Sequence, residues 1–298
     1  MLDAAHAGTG PTLQTALRQA TADLRGAGIE GAGNDARRLL AAVLGLSAVQ
    51  VLSRPERTLS PGEAECFSRC IARRIGREPV SRILGERDFY GRSFAISPAT
   101  LDPRPDSETL IEAALALARS EGWQTAPLRI LDVGTGSGCL LLTLLCELQR
   151  ASGLGTDISV AALEIARRNA DRLGVAHRSQ WLAADALDGV SGEFDILVCN
   201  PPYIPTGEIA GLDPEVRQFD PVSALDGGDD GIRFFHRLGA RIPHVIPNGW
   251  IVLEVGHDQA EAVVGLLTFS IPGIDPGNIR VFRDVAGKHR CVAARARC

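Results

Sequence analysis

The sequence predicts an α/β fold: a doubly wound, mostly parallel seven-stranded sheet with a C-terminal antiparallel hairpin, preceded by a small N-terminal helical bundle. Three observations predict it. From Ser107 onward, short apolar runs alternate with helical stretches of roughly 10 to 15 residues, the order expected of a parallel sheet with helices on both faces. The last two runs, "NIRVFRD" and "HRCVAARA", are joined by "VAGK", too short for a crossover, so they pair antiparallel. Residues 12 to 77 show only the three- and four-residue apolar spacing of helices.

The elements follow in order. "LQTALRQATADL", "DARRLLAAVLGL" and "GEAECFSRCIARRI" read as short helices, separated by the stop and start signals "RGAGIEGAGND" and "SRPERTLSPGE". Residues 1–78 are therefore expected to form a small helical domain, and with no His/Cys/Asp constellation it reads as a docking module. The stretch "EPVSRILGERDFYGRSFAISPATLDPRPDSE" brings prolines, alternating runs and turn glycines, and 79–106 reads as a hairpin-bearing linker. Residues 107–298 then run helix "SETLIEAALALARS", strand "LRILDVG", helix "CLLLTLLCELQ", strand "GLGTD", helix "VAALEIARRNADRLG", and strands "SQWLAAD" and "FDILVCN". Helix "GIRFFHRLGARI", strand "GWIVLEVG" and helix "QAEAVVGLLTF" precede the closing hairpin.

Composition narrows the function classes. A chain of 298 residues with 45% hydrophobic and 22% charged residues describes a globular protein long enough for two cores. Apolar runs such as "CLLLTLLC" fall short of the roughly 18 residues of a membrane helix. "MLDAAHAGTG" lacks the pattern of a secretory signal, so a cytoplasmic protein is expected. Seven cysteines without Cys-x-x-Cys argue for reduced thiols and against a zinc ribbon. The six histidines lack metal-ligand spacing, and no metal is expected. The net charge of −5 offers no general attraction to nucleic acid, although residues 1 to 80 carry 10 Arg against 8 acidic residues.

Two motifs carry chemistry. "DVGTGSG" places Gly134, Thr135, Gly136, Ser137 and Gly138 after the first sheet strand, where ligands approach the backbone in open α/β sheets. The spacing is Gly-x-Gly-x-Gly, with Cys139 where a dinucleotide fingerprint needs glycine. Asp157 closes the next strand, placed to accept from two ribose hydroxyls. Asp185 closes the third, where it or its neighbour meets an adenine amino group. Asp132 orients the loop or meets a cationic group. With no phosphate-binding lysine, this suits a positively charged nucleoside such as S-adenosylmethionine.

The second motif is "NPPYIP", Asn200 to Pro205, at the end of the fourth strand on the same rim. An amide or aromatic amino nitrogen is a poor nucleophile because its lone pair is delocalised. The Asn200 side-chain oxygen and the Pro201 carbonyl can accept its two N–H groups and favour a pyramidal nitrogen. Pro202 stiffens the turn, and Tyr203 offers an aromatic face to a planar amide or base. This is positioning and electrostatic pre-organisation without a general base.

These motifs, with "REPVSRILGERDFYGRSFAISPATLDPRPDSETL", "PEVRQFDPVSALDGGDDGI", "NGWIVLEVGHDQ" and "RDVAGKHRCVAAR", resemble the PrmC/HemK family, the peptide chain release factor glutamine methyltransferases, over nearly the whole chain. The resemblance implies a class I S-adenosylmethionine-dependent methyltransferase fold. It implies methyl transfer to the glutamine amide in the Gly-Gly-Gln tip of class 1 release factors. By the same resemblance Gly134 to Gly138 and Asp157 contact the cofactor, and Asn200 to Tyr203 hold the glutamine. Arg104 and Phe89 wall the cofactor pocket. The chain departs from the family pattern at Asp102 (aliphatic in the family), Ser107 (threonine) and Ala186 (often large, beside the adenine).

The Asn-Pro-Pro-Tyr chemistry is shared with enzymes that methylate exocyclic amino groups in DNA or RNA. Those must extrude a base and hold phosphates, and the sequence has no basic cluster beyond "RCIARRIGR". Glutamine methylation of a ribosomal protein is the nearest rival. A non-catalytic cofactor-binding module has no need of paired acceptors at the methyl group. A monomer is expected.

Overall fold

The computed structural model describes residues 10–297. The signal reading of the first nine residues and the thiol of Cys298 lie outside them. Among the described residues no helix is long and apolar enough to cross a membrane, and the six described cysteines are free. The chain divides into two compact units, residues 1–85 and 86–298.

The first unit holds five helices: α1 (Leu13–Gly26), α2 (Ala32–Leu44), α3 (Ala48–Leu52), α4 (Pro61–Ile75) and α5 (Val80–Leu84). Their starts are written in the sequence. Thr12 caps α1 by accepting from Thr15 N–H, while Ser47 with Gln50 and Ser60 with Glu63 form capping boxes on α3 and α4. Leu13, Leu24, Leu39, Leu40, Val51 and Phe67 fill a separate core. Arg74 donates to Asp35 at 2.8 Å and ties α4 to α2. The helices α3 and α5 were not expected: five residues are too few for a periodic apolar pattern to show.

The second unit opens with a hairpin, β1 (Glu86–Phe89) and β2 (Arg92–Ala95), followed by α6 (Glu108–Ser120). Thus the segment 79–106 is divided, α5 falling in the first unit and the hairpin in the second. Then come β3 (Arg129–Val133), α7 (Cys139–Glu147), β4 (Ser152–Asp157), α8 (Val160–Arg172), β5 (Ser179–Ala183) and β6 (Ile196–Cys199). A short parallel pair, β7 (Ile204–Pro205) and β8 (Asp226–Gly228), brackets the small helix α9 (Pro214–Arg217). The chain continues through α10 (Arg233–Gly239), α11 (Ile242–Val245), β9 (Asn248–Glu254), α12 (Ala260–Ser270), β10 (Ile279–Arg283) and β11 (His289–Arg297). The stretch read as one helix, "GIRFFHRLGARI", is therefore two, because Pro243 starts α11 and has no N–H to continue α10.

The seven-stranded sheet has the order β10-β11-β9-β6-β3-β4-β5. All neighbours from β9 to β5 are parallel, and β11 runs antiparallel to both β9 and β10. Two cores cover its faces. Trp250 and Val252 of β9 and Ile196 and Val198 of β6 face one core, while Ile251, Leu253, Leu197 and Cys199 face the other. That period of two within fully apolar strands is what a doubly covered sheet requires. Asp132 pairs with Val198, which pairs with Val252. An acid thus occupies an apolar row, and it marks the carboxyl ends of β3, β4 and β6 as the place where the chemistry sits.

Candidate active site

The β3–α7 turn is built on left-handed glycines. Gly134, Gly136 and Gly138 have φ of +72°, +55° and +79°, which side-chain-bearing residues adopt at a cost. A Cβ on Gly134 or Gly136 would point into open space, whereas one on Gly138 would press on Leu142, Ala166 and Trp181 at 3.0 to 3.2 Å. The first two glycines therefore leave a ligand-sized approach to the backbone, and the third lets α7 pack close. Thr135 N–H donates to the Thr156 carbonyl at 2.8 Å, which locks the loop to β4.

Two acids brace this loop. Asp132 Oδ2 accepts from the Thr135 hydroxyl at 2.5 Å and from Leu141 N–H at 3.3 Å. Its Oδ1 is buried without a hydrogen bond among the described residues. Burial pushes its pKa up to about 7, against the pull of the Thr135 and Leu141 donors. Asp157, at the end of β4, accepts from Gly136 N–H with Oδ2 and from Ser159 N–H with Oδ1, each at 2.9 Å. Burial raises its pKa too, opposed by the backbone N–H groups of Ser159, Gly136 and Ile158.

One cavity gathers most of the residues picked out in the sequence. Gly134, Thr135, Gly136, Ser137, Asp157, Asp185, Ala186, Asn200, Pro201, Pro202 and Arg104 line it. Asp185 lies two residues beyond β5 and pairs with Arg237 at 2.6 Å; both are half exposed, so the pair contributes at most about 1 kcal/mol. Ala186 has a φ of +54° and its carbonyl accepts from the Thr156 hydroxyl. Arg104 pairs with Asp220, whose Oδ1 also accepts from Asp102 N–H at 3.2 Å. That carboxylate pins the loop after α9 against the Pro103–Arg104 wall.

Three expected residues lie elsewhere. Phe89 does not wall the cavity: it is 1% exposed and meets Phe94 edge to face within the core, where an inward strand position sends an aromatic ring. Gly138 lies behind the lining, packed on α7 and α8 side chains. Tyr203 stands beside the cavity, its ring against the core beneath α10 and α12. Its hydroxyl donates to Glu254 Oε1 at 3.3 Å, and its carbonyl accepts from Gln259 Nε2 at 2.8 Å.

Asn200 is the first residue beyond β6. Its Nδ2 donates to Ser107 Oγ at 3.0 Å, which leaves Oδ1 as the acceptor end. Ser107, Glu254, Ile158 and Phe234 were not picked out as contributing to the site. Glu254 carried a signal, an acid closing the apolar run "GWIVLEVG". Phe234 carried none, since an aromatic in an amphipathic helix reads as core; it lines the cavity with Ile158, which is 65% exposed.

The donor set fits S-adenosylmethionine. Asp157 and the open approach at Gly134 and Gly136 suit a ribose against the backbone, and Ile158 and Phe234 supply apolar surface for a purine. Phe234 offers a large ring in the same lining as the small Ala186.

Sequence comparison agrees with this geometry. Residues 15–85 match the PrmC N-terminal domain, and residues 115–210 match the methyltransferase small domain. A release factor glutamine methyltransferase of Rhodospirillum rubrum is 47% identical over 92% of this chain and 82% of its own. One of Bradyrhizobium diazoefficiens is 45% identical over 96% of each. In fold the chain resembles the catalytic domain of human Mettl16, crystallised with a MAT2A 3′UTR hairpin, at 15% identity and a TM-score of 0.54 over 80% of this chain and 83% of that one. With identity of this order along almost its full length and both family models matched, the chain belongs to the release factor glutamine methyltransferase family.

Proposed function

We propose that the protein methylates the side-chain amide nitrogen of the glutamine in the Gly-Gly-Gln motif of class 1 release factors, using S-adenosylmethionine. The observation that carries this is Asn200, held by Ser107 in the same cavity as the glycine loop and Asp157. When bound, S-adenosylmethionine supplies an electrophilic sulfonium methyl group. Gly134 to Ser137, Asp157, Asp185 and Ala186 would hold that cofactor, and Arg104 would wall it, while Gly138 shapes the loop from behind.

Asn200 Oδ1 and the Pro201 carbonyl accept the two N–H groups of the glutamine amide and aim its nitrogen at the donor. Pro201 has no N–H of its own, and together Pro201 and Pro202 hold the turn in one conformation. Tyr203 acts from the side of the cavity, through its bonds to Glu254 and Gln259, rather than by stacking on the substrate from the lining. No side chain has to remove a proton before transfer. The methylated nitrogen is acidic enough to lose one to water afterwards, so the rate enhancement comes from orientation and fixed acceptors.

Residues 1–78 form the docking surface for the release factor, 79–106 connect it to the catalytic region, and 107–298 carry the transfer. The helical unit has its own core, which supports a rigid recognition surface. The protein acts as a monomer in the cytoplasm and takes no nucleic acid as substrate. The test is incubation with S-adenosylmethionine and unmodified class 1 release factor, followed by peptide mass spectrometry, with adenine-containing DNA, ribosomal RNA and a ribosomal-protein substrate alongside. A methyl on the Gly-Gly-Gln glutamine, lost in Asn200→Ala, is the expected result; transfer to a different acceptor overturns the substrate assignment.

A further inference from the structure

Ser107 holds the Asn200 amide, but a hydroxyl is ambivalent. It has one proton and two acceptor sites, so it can accept from Nδ2 or donate to Oδ1. Which end of Asn200 faces the cavity therefore depends on where the Ser107 proton goes. The group facing Ser107 is the Glu254 carboxylate, 1% exposed at the end of β9. Its Oε1 receives the Tyr203 hydroxyl at 3.3 Å, while its Oε2 is buried without a hydrogen-bond partner among the described residues, an acceptor still open toward Ser107.

We propose that Glu254 is a positioning residue: as a carboxylate it accepts a hydrogen bond from the Ser107 hydroxyl, so that Ser107 accepts from Asn200 Nδ2 and Asn200 Oδ1 is presented to the substrate amide. The inference rests on the functional reading above only for what Oδ1 is used for. Protonated Glu254 becomes a donor toward Ser107 Oγ. The Ser107 proton then turns to Asn200 and favours the reversed amide, with Nδ2 facing the cavity. An N–H group there repels the N–H of the substrate it should accept.

The surroundings place the switch near neutrality. Burial pushes Glu254 up to about 7, while Ser107, Tyr203 and Arg290 pull it down and Asp106 pushes it further up. Tyr203 and the buried thiols of Cys139, Cys199 and Cys291 are themselves raised, first by burial and further by the Glu254 charge, so they keep their protons through this range. Arg290 is bound to Asp106 at 2.8 Å and Asp284 at 3.0 Å and stays charged.

The test does not require substrate. In the 15N-labelled full chain, the Asn200 side-chain amide resonances, assigned by their loss in Asn200→Ala, are followed from pH about 6 to about 8.5. They are expected to move with a midpoint near 7 in the wild type and to stay fixed in Glu254→Gln. Resonances that do not move in the wild type, or that move equally in Glu254→Gln, overturn the proposal. Asp132 titrates in the same range, which is why the variant and not the wild-type curve carries the assignment. In turnover, Glu254→Gln is expected to lower kcat at least about tenfold at pH 8 with KM for S-adenosylmethionine little changed, and to lose the acid limb. Ser107→Thr keeps that limb and Ser107→Ala loses it. A Glu254→Gln enzyme with the wild-type rate and acid limb refutes the role. If the wild type fails to methylate release factor, the substrate assignment falls while the resonance experiment still decides the positioning role.

Discussion

Asp157 Oδ2 accepts the backbone N–H of Gly136 at 2.9 Å, so the acid that ends β4 and the middle glycine of the β3–α7 turn form one rigid unit. With its second oxygen fixed by Ser159 N–H, the carboxylate is oriented before any ligand arrives. Asp157→Ala removes a brace for the loop and, with it, the proposed ribose acceptor. Loss of hydrogen bonds to a charged group typically costs about 1.5 to 3 kcal/mol, so S-adenosylmethionine should bind roughly 10- to 150-fold more weakly. Isothermal titration calorimetry checks this. Unchanged affinity would place the ribose elsewhere.

Two glycines in the same turn should respond differently to alanine. Gly138→Ala combines a φ of +79° with contacts of 3.0 to 3.2 Å from Leu142, Ala166 and Trp181, and Ala166 and the indole of Trp181 have little room to yield. A stability loss of about 1 to 3 kcal/mol is expected, read as a lower Tm. Gly136→Ala, with a φ of +55° and open space beyond it, carries the backbone strain of about 1 to 2 kcal/mol without the clash. Its new methyl group faces the approach to the loop, so its larger effect should be on cofactor affinity.

What could be read in advance follows physical lines. The alternation of strands and helices, the closing hairpin, the glycine loop and Asn200 are local patterns, and local patterns are visible in one sequence. The Ser107–Asn200 contact joins residues 93 apart, and Arg104–Asp220 joins residues 116 apart. No periodicity reports such pairings. Phe89 shows the converse error. The family resemblance put it in the pocket wall, yet strand alternation turns it inward onto Phe94.

Asp132 should couple stability to pH. Its folded pKa of about 7 lies above the ordinary carboxylate value of 3.8, because burial disfavours the charge. The folded state therefore holds the proton more tightly than the unfolded one. The stabilisation this gives is complete below the unfolded pKa and is lost as pH rises through the folded one. Asp132→Asn removes that dependence while keeping an oxygen that can accept from Thr135 or Leu141. Relative to wild type, the variant should gain Tm as pH rises from about 5 to about 8. A difference in Tm that stays constant with pH would assign the titration to another group.

Asp220 holds the loop after α9 in place. Its carboxylate accepts from Asp102 N–H at 3.2 Å and pairs with Arg104, and its side chain is 2% exposed while that of Arg104 is 36% exposed. Removing the buried partner, in Asp220→Ala, leaves the Asp102 N–H without this acceptor and frees the cavity wall formed by Pro221 and Ala224. The cost should fall near 1 to 3 kcal/mol, since the partly exposed Arg104 can turn to water. Local opening should exceed global loss, because α9 and its flanks lie outside the large sheet. Limited proteolysis is the direct check: faster cleavage within residues 206–225, slowed by S-adenosylmethionine, is expected. Arg104→Ala, which leaves the buried Asp220 carboxylate charged but without the Arg104 cation, should accelerate cleavage more than Asp220→Ala does. Equal protection in all three proteins would mean that the loop is held by its own turns and not by the ion pair.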